Sequence, residues 1–188
     1  MIKANELKVL WDNTRAGATD AFAILHNELY PGLFTYAVKM LRDPDLADDL
    51  LQDLFVKFWQ NKIHIGSITN VKAYFYKSVR SMILNHIRSS QLKASKLEAM
   101  PEPDLQFSRE ELIISEELDS DIKQMLYTAL NKLPAKQREI IHMRFYEELE
   151  YVQIAEITGI RYQSVINHVY RAVQVLRESA DLSNIYAA

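Results

Sequence analysis

The chain has 188 residues, 48% of them hydrophobic, enough to bury the core of one ordinary domain or of two small ones and too apolar for a disordered segment. Lys and Arg total 22 against 25 Asp and Glu, a net charge of −3, which argues against coating nucleic acid or an anionic membrane by bulk charge alone. There is no Cys, hence no disulfide framework, thiolate metal site or thiol nucleophile, and with no apolar run resembling a signal peptide or a span of roughly 18 residues the expectation is a soluble, cytoplasmic protein without membrane insertion.

Only 4 Gly and 5 Pro interrupt a sequence rich in Leu, Ile, Ala, Lys and Glu, which predicts an all-α fold with long helices. Residues 1–19 read as an N-terminal extension. A first helix is expected from Asp20, taken as its N-cap, to Leu41, with Phe22, Leu25, Leu29, Leu33, Tyr36, Ala37 and Met40 at three- and four-residue steps. Asp43-Pro44-Asp45 ends it and starts a second, about Leu46 to Gln60, which turns Leu46, Leu50, Leu54, Phe55 and Phe58 inward and leaves Asp45, Asp49, Gln52 and Asp53 on other faces. A polar loop over 61–69 precedes Asn70, the expected N-cap of a third helix with Ala73, Tyr74, Tyr76, Val79, Ile83, Leu84 and Ile87 inward and Lys72, Lys77, Arg80 and Arg88 projecting. These three helices, 20–90, suffice for a small bundle.

Periodicity fades over 91–107, where Pro101 and Pro103 sit among Glu98, Glu102 and Asp104, the pattern of a flexible acidic linker. A second helical domain is expected over 108–180, followed by a tail, 181–188. Ser108 and Glu111 have capping-box spacing, a helix should run from there to Pro134, and another should start at Pro134 with Gln137, Ile140, Ile141, Met143 and Phe145. In YVQIAEITGIRYQSVINHVYRA, residues 151–172, Ala155, Gly159, Ile160, Val165 and Val169 carry helix-turn-helix spacing, which an ordinary αα-hairpin shares. The stripe Val165, Val169, Ala172, Val173 and Leu176 turns Arg161, Gln163, Ser164, Asn167, His168 and Arg171 outward, hydrogen-bonding types that reach base edges when such a helix enters a major groove.

Charge is unevenly distributed. Residues 1–53 carry a net −4, residues 54–97 a net +8 with no acidic side chain, and residues 98–124 a net −7. Helices on an ordinary solvated surface alternate signs, so an acid-free stretch of this length points to an anionic partner. The motifs of known nucleotide-binding and hydrolytic enzymes, a Gly-rich phosphate loop, HExxH or GxSxG, do not occur, and the reading is of a non-enzyme. The acids Asp43, Asp45, Asp48, Asp49 and Asp53 lack the loop glycine of a calcium site and are interrupted by apolar residues at helical spacing, so neither a metal nor a cofactor is expected.

Both halves resemble, in order, the extracytoplasmic-function (ECF) sigma factors, the smallest promoter-recognition subunits of bacterial RNA polymerase. DDLLQDLFVKFW, residues 48–59, is similar to the helix by which domain two of that family docks on the polymerase, and the resemblance implies that Asp48, Asp49, Gln52, Asp53, Phe55 and Trp59 bind core RNA polymerase. NVKAYFYKSVRSMILNHIR, residues 70–88, is similar to the helix that reads the minus-10 element as single strand. The implied DNA contacts are His64, Ser67, Asn70, Lys72, Tyr74, Phe75, Lys77, Arg80 and Arg88, with one residue of the preceding loop capturing a flipped base. Aromatics interleaved with cations suit stacking of unpaired bases, at about 1–3 kcal/mol per base, though Tyr74 and Tyr76 at helical spacing equally suit a core. LPAKQREIIHMRFYEELEYVQIAEITGI, residues 133–160, and the helix after it resemble the minus-35 reader of domain four, which implicates Arg161, Tyr162, Gln163, Ser164, Asn167, His168 and Arg171. Ile166 stands where relatives often carry a basic residue. The implied partners are core RNA polymerase, promoter DNA and an anti-sigma factor. The rival reading is a free-standing helix-turn-helix regulator with an N-terminal dimerisation or sensing bundle.

Overall fold

The computed structural model describes residues 3–93, 104–108 and 120–180, and among these every regular element is an α-helix. The chain divides into two compact units, the first carried by α1–α4 and the second by residues 104–108 and most of α5–α8.

In the first unit α1 (Ala4–Arg15), α2 (Thr19–Leu41), α3 (Pro44–Ile65) and α4 (Val71–Lys93) form a four-helix bundle in which α2 packs on the other three. The segment read as an extension is therefore part of the fold: α1 contributes Leu7 and Trp11 to the core, Trp11 being wholly buried with its ring edge-on to Phe58 and Phe75. Without the aromatic floor that α3 and α4 supply, nothing in residues 1–19 announces burial. Helix α2 begins one residue before Asp20, with Ala18 as N-cap, so Asp20 is a first-turn acid that complements the helix dipole. It runs through Pro31 and closes on Arg42 in the left-handed region, φ 59°.

The Asp43 carboxylate caps α3 by accepting from the Leu46 N–H at 3.1 Å, and Pro44 takes the first turn, where a missing N–H is harmless. Helix α3 extends five residues beyond Gln60, so the expected loop shrinks to residues 66–70 and His64 lies on the last helical turn. Its buried stripe is Ala47, Leu51, Leu54, Phe55 and Phe58, while Leu46 and Leu50 are only half-buried. Asn70 caps α4 as expected, its Oδ1 accepting from the Ala73 N–H at 3.1 Å. Val71, Ala73, Phe75, Tyr76, Val79 and Ile83 form the buried face of α4.

In the second unit α8 (Tyr162–Ala180) packs on α5 (Ser120–Lys132) and α6 (Ala135–Phe145), and α7 (Tyr151–Thr158) precedes it across Gly159. Gly159 has φ +72°, and since a Cβ there would meet nothing within 4 Å, it is the left-handed backbone and not lack of space that asks for glycine. The end of the expected linker belongs to this unit: Leu105 and Phe107 are buried, and Asn131 binds both backbone groups of Phe107, at 3.0 and 3.2 Å. Arg138 gathers the carbonyls of Leu105, Asn131 and Leu133 within 2.9 Å and also pairs with the Asp104 carboxylate. The capping box at Glu111, the helical residues Leu112 and Leu118, most of the linker and the tail 181–188 lie outside the described residues.

Candidate protein-docking and nucleic-acid interfaces

Three groups of side chains stand out, and the structure redistributes the residues expected in each. On α3, Asp49, Gln52 and Asp53 are exposed, one helical step apart on the outer face. Asp53 meets Lys57 at 3.7 Å, both well solvated, a pair of small energetic weight. Asp48 is half-buried and turned sideways: it accepts a hydrogen bond from the Tyr30 hydroxyl and another from Gln52 Nε2 at 2.6 Å. Burial, followed by the hydrogen bond and negative charge of Asp48, pushes the Tyr30 phenol up to about 12. Because Gln52 spends an N–H on Asp48, its carbonyl oxygen is left with the carboxylates of Asp49 and Asp53 as acceptors suited to cationic donors.

Phe55 is corrected. It is buried, with ring centroids 4.5 Å from His26, 5.4 Å from Phe75 and 6.1 Å from Phe22, and is a core residue unable to meet a partner. Trp59 is half-buried against Phe22, and the Lys62 ammonium lies 3.6 Å over its ring while donating to the Trp59 carbonyl. The same outer face holds two large apolar residues that the sequence reading passed over, Val56 and Ile63, at 53% and 71% exposure. Their i,i+7 spacing beside the acids was the available signal.

Lys77 and Arg88 are exposed on one face of α4, and His64, on the last turn of α3, and Ser67, in the segment between the two helices, are exposed as well. Tyr74, Lys72 and Arg80 are half-exposed, Tyr74 with its ring edge against Phe58 and Lys72 reaching over the Tyr76 ring at 5.7 Å. Phe75, expected on DNA, is wholly buried, 4.1 Å from Phe58, and Tyr76 is buried beside Tyr36. Only Tyr74 of the Tyr-Phe-Tyr run can therefore offer a ring edge to a base. Asn70 spends its Oδ1 on the capping bond, which leaves its amide N–H groups as donors. The result is a cationic face on α4, with Ser67 and Thr69 exposed in the segment that precedes it.

Arg161, just before α8, and Tyr162, Gln163, Asn167 and Arg171 on it are exposed and Ser164 and Ile166 half-buried, over the stripe Val165, Val169 and Ala172. Gln163 Nε2 and Asn167 Oδ1 are 3.4 Å apart, one turn from each other. His168 is half-buried with its Nδ1 inside, and burial, then the charges of Lys136 and Arg171, lower its pKa and favour the neutral imidazole. Lys136, on α6, is close enough for its charge to act on His168, an influence that no pattern within α8 reveals. At the start of α7, Arg144, Glu150, Tyr151, Val152 and Tyr162 line an open cavity of about 220 Å³. Among the described residues no three His, Asp or Glu side chains are grouped to hold a metal ion, and no helix is long and apolar enough to cross a membrane.

Comparison with known proteins identifies the two units. The sigma-70 region 2 profile matches residues 25–92, and the sigma-70 region 4 profile matches residues 123–176. The chain is 27% identical over 145 residues to RNA polymerase sigma factor SigV of Bacillus subtilis, covering 77% of this chain and 81% of that protein. It is 27% identical over 168 residues to ECF RNA polymerase sigma factor SigL of Mycobacterium tuberculosis, covering 86% and 92%. Among solved structures, the fold is like that of sigma factor RpoE in complex with the anti-sigma factor NepR from Bartonella quintana, with TM-score 0.59, 24% identity and 86% and 97% of the two chains covered. It is also like CnrH in complex with the cytosolic domain of CnrY, with TM-score 0.62, 16% identity and 94% and 97% covered. With both conserved regions present, in order, and its curated relatives matched over most of their length, the chain belongs to the ECF sigma factors of the sigma-70 family.

Proposed function

We propose that this sigma factor divides promoter-directed initiation among the three surfaces just described. The outer face of α3, with Asp49, Gln52 and Asp53 as acceptors and Val56 and Ile63 as apolar contacts, binds a basic surface of core RNA polymerase. The face made by His64, Ser67, Tyr74, Lys77, Arg80 and Arg88 holds the unwound minus-10 strand. The exposed side of α8, through Arg161, Tyr162, Gln163, Asn167 and Arg171, reads the minus-35 duplex. Bond making in RNA synthesis belongs to the polymerase, and the chain acts where the polymerase does, in the cytoplasm. An anti-sigma factor is the expected inhibitor, by likeness to the complexes of RpoE and CnrH.

The observation that carries this reading is the change of sign along one bundle: acids on the outside of α3, then an acid-free run of 44 residues through α4. Acids suit a protein surface rich in Lys and Arg, while cations suit phosphates. Run-off transcription with purified core polymerase, on promoters selected from a randomised duplex pool, tests it. The expected result is a promoter-dependent product that requires the chain. Stable dimers that bind duplex tightly without polymerase, and no product with it, would favour the regulator reading instead.

A further inference from the structure

The segment between α3 and α4 is only five residues long, and each of its alternate residues is tied down. Gly66 leaves α3 with φ +77°, and its carbonyl accepts a hydrogen bond from the Trp11 indole N–H at 2.9 Å, a bond that spans 55 residues of sequence. Ile68 is buried, and Asn70 caps α4. Between these ties Ser67 and Thr69 face outward. The tie at Gly66 differs from the others because it comes from outside α3 and α4, from a side chain of α1. Trp11 is itself held on two sides by Phe58 and Phe75, so the donor is fixed by the core and not by the loop.

We propose that Trp11 is a positioning residue for promoter opening: its indole N–H fixes the 66–70 segment so that Ser67 and Thr69 meet the displaced minus-10 strand in one conformation. This rests on the assignment of that segment and α4 to the minus-10 strand. The physical basis is preorganisation. A loop held before the strand arrives loses less conformational freedom on binding than one that must order itself. The buried ring supplies stability, and the N–H supplies loop geometry.

Those two roles can be separated. Trp11→Phe keeps an aromatic ring in the core and removes the donor. Trp11→benzothienylalanine, which replaces the N–H by sulfur in a ring of the same size, removes the donor with the packing intact. Leu7→Ala loosens α1, where Leu7 is buried, but keeps the donor. Each is assembled with core polymerase and assayed by permanganate reactivity of the minus-10 region on a selected promoter, at a temperature where circular dichroism shows the variant folded. The two Trp11 variants should bind core as the wild type does and open the promoter roughly fivefold less, the factor an ordinary hydrogen bond is worth, while Leu7→Ala opens it normally. Wild-type opening by both Trp11 variants, or an equal loss in Leu7→Ala, would overturn the proposal. Ser67→Ala and Lys77→Ala separate it from the reading on which it rests. If neither lowers opening, the strand assignment itself fails; if they lower it and the Trp11 variants do not, only the anchor fails.

Discussion

Phe75 lies in the middle of the segment that the family resemblance assigns to single-stranded DNA, and it is wholly buried. Its ring sits 4.1 Å from Phe58, 5.4 Å from Phe55 and 6.4 Å from Trp11, at the point where three of the four helices meet. Truncation by Phe75→Ala removes a full aromatic side chain and leaves a cavity, a loss of about 3–5 kcal/mol. Against a total stability of about 5–15 kcal/mol, that removes a large share of the stability of the first unit. Phe75→Leu keeps most of the apolar volume and forfeits chiefly the close contact with Phe58, about 1 kcal/mol. For a unit of this size that is a fall in Tm of roughly 4–8 °C. The assay pairs thermal unfolding followed by circular dichroism with promoter opening by the assembled holoenzyme. Phe75→Leu should melt a few degrees lower and open the promoter as the wild type does. An unchanged Tm with opening abolished would show that the ring serves DNA and refute the burial argument.

Three further outcomes are expected. Asp49→Ala should weaken binding to core polymerase without changing Tm, because the side chain is exposed; equal affinity in a titration against labelled core would remove it from the docking face. Arg171→Ala should weaken promoter binding across sequences and make the slope of log affinity against log salt shallower by about 1, as for a lost phosphate contact; a full wild-type slope would exclude that contact. His168 has a lowered pKa in the folded chain, so folding favours its neutral form: stability should be unaffected above its ordinary pKa of 6.5 and fall as the pH drops below it. His168→Gln should remove that part of the acid sensitivity, and denaturant unfolding at about pH 7.5 and pH 5.5 measures the difference. Identical acid losses in both chains would assign the sensitivity elsewhere.

The local signals read well because their physics is local. Asp43 and Asn70 cap the helices they were expected to start, Gly159 turns between α7 and α8, and the stripe Val165, Val169 and Ala172 is buried as its spacing demands. The misplacements share one cause, the rotation of a helix about its axis when neighbours have apolar residues on offer. Leu46 and Leu50 fit a helical stripe as well as Ala47 and Leu51 do, and it was the packing of α2 and α4 on α3 that chose the latter. Phe75 was chosen in the same way over Tyr74.

By itself the sequence determined the class of the fold, its division into two helical units and, through the order of its motifs and the sign of its charge along the chain, the family and the partners to expect. Those properties depend on spacing of a few residues or on sums over segments, and neither needs a third dimension. Tertiary structure decided which members of each candidate set can reach a partner. It buried Phe75 against Phe58, turned Asp48 toward Tyr30, brought Lys136 within electrostatic reach of His168, and carried Trp11 to Gly66. Each of these pairings joins residues whose proximity depends on how helices cross, and no periodicity within a single helix encodes that crossing.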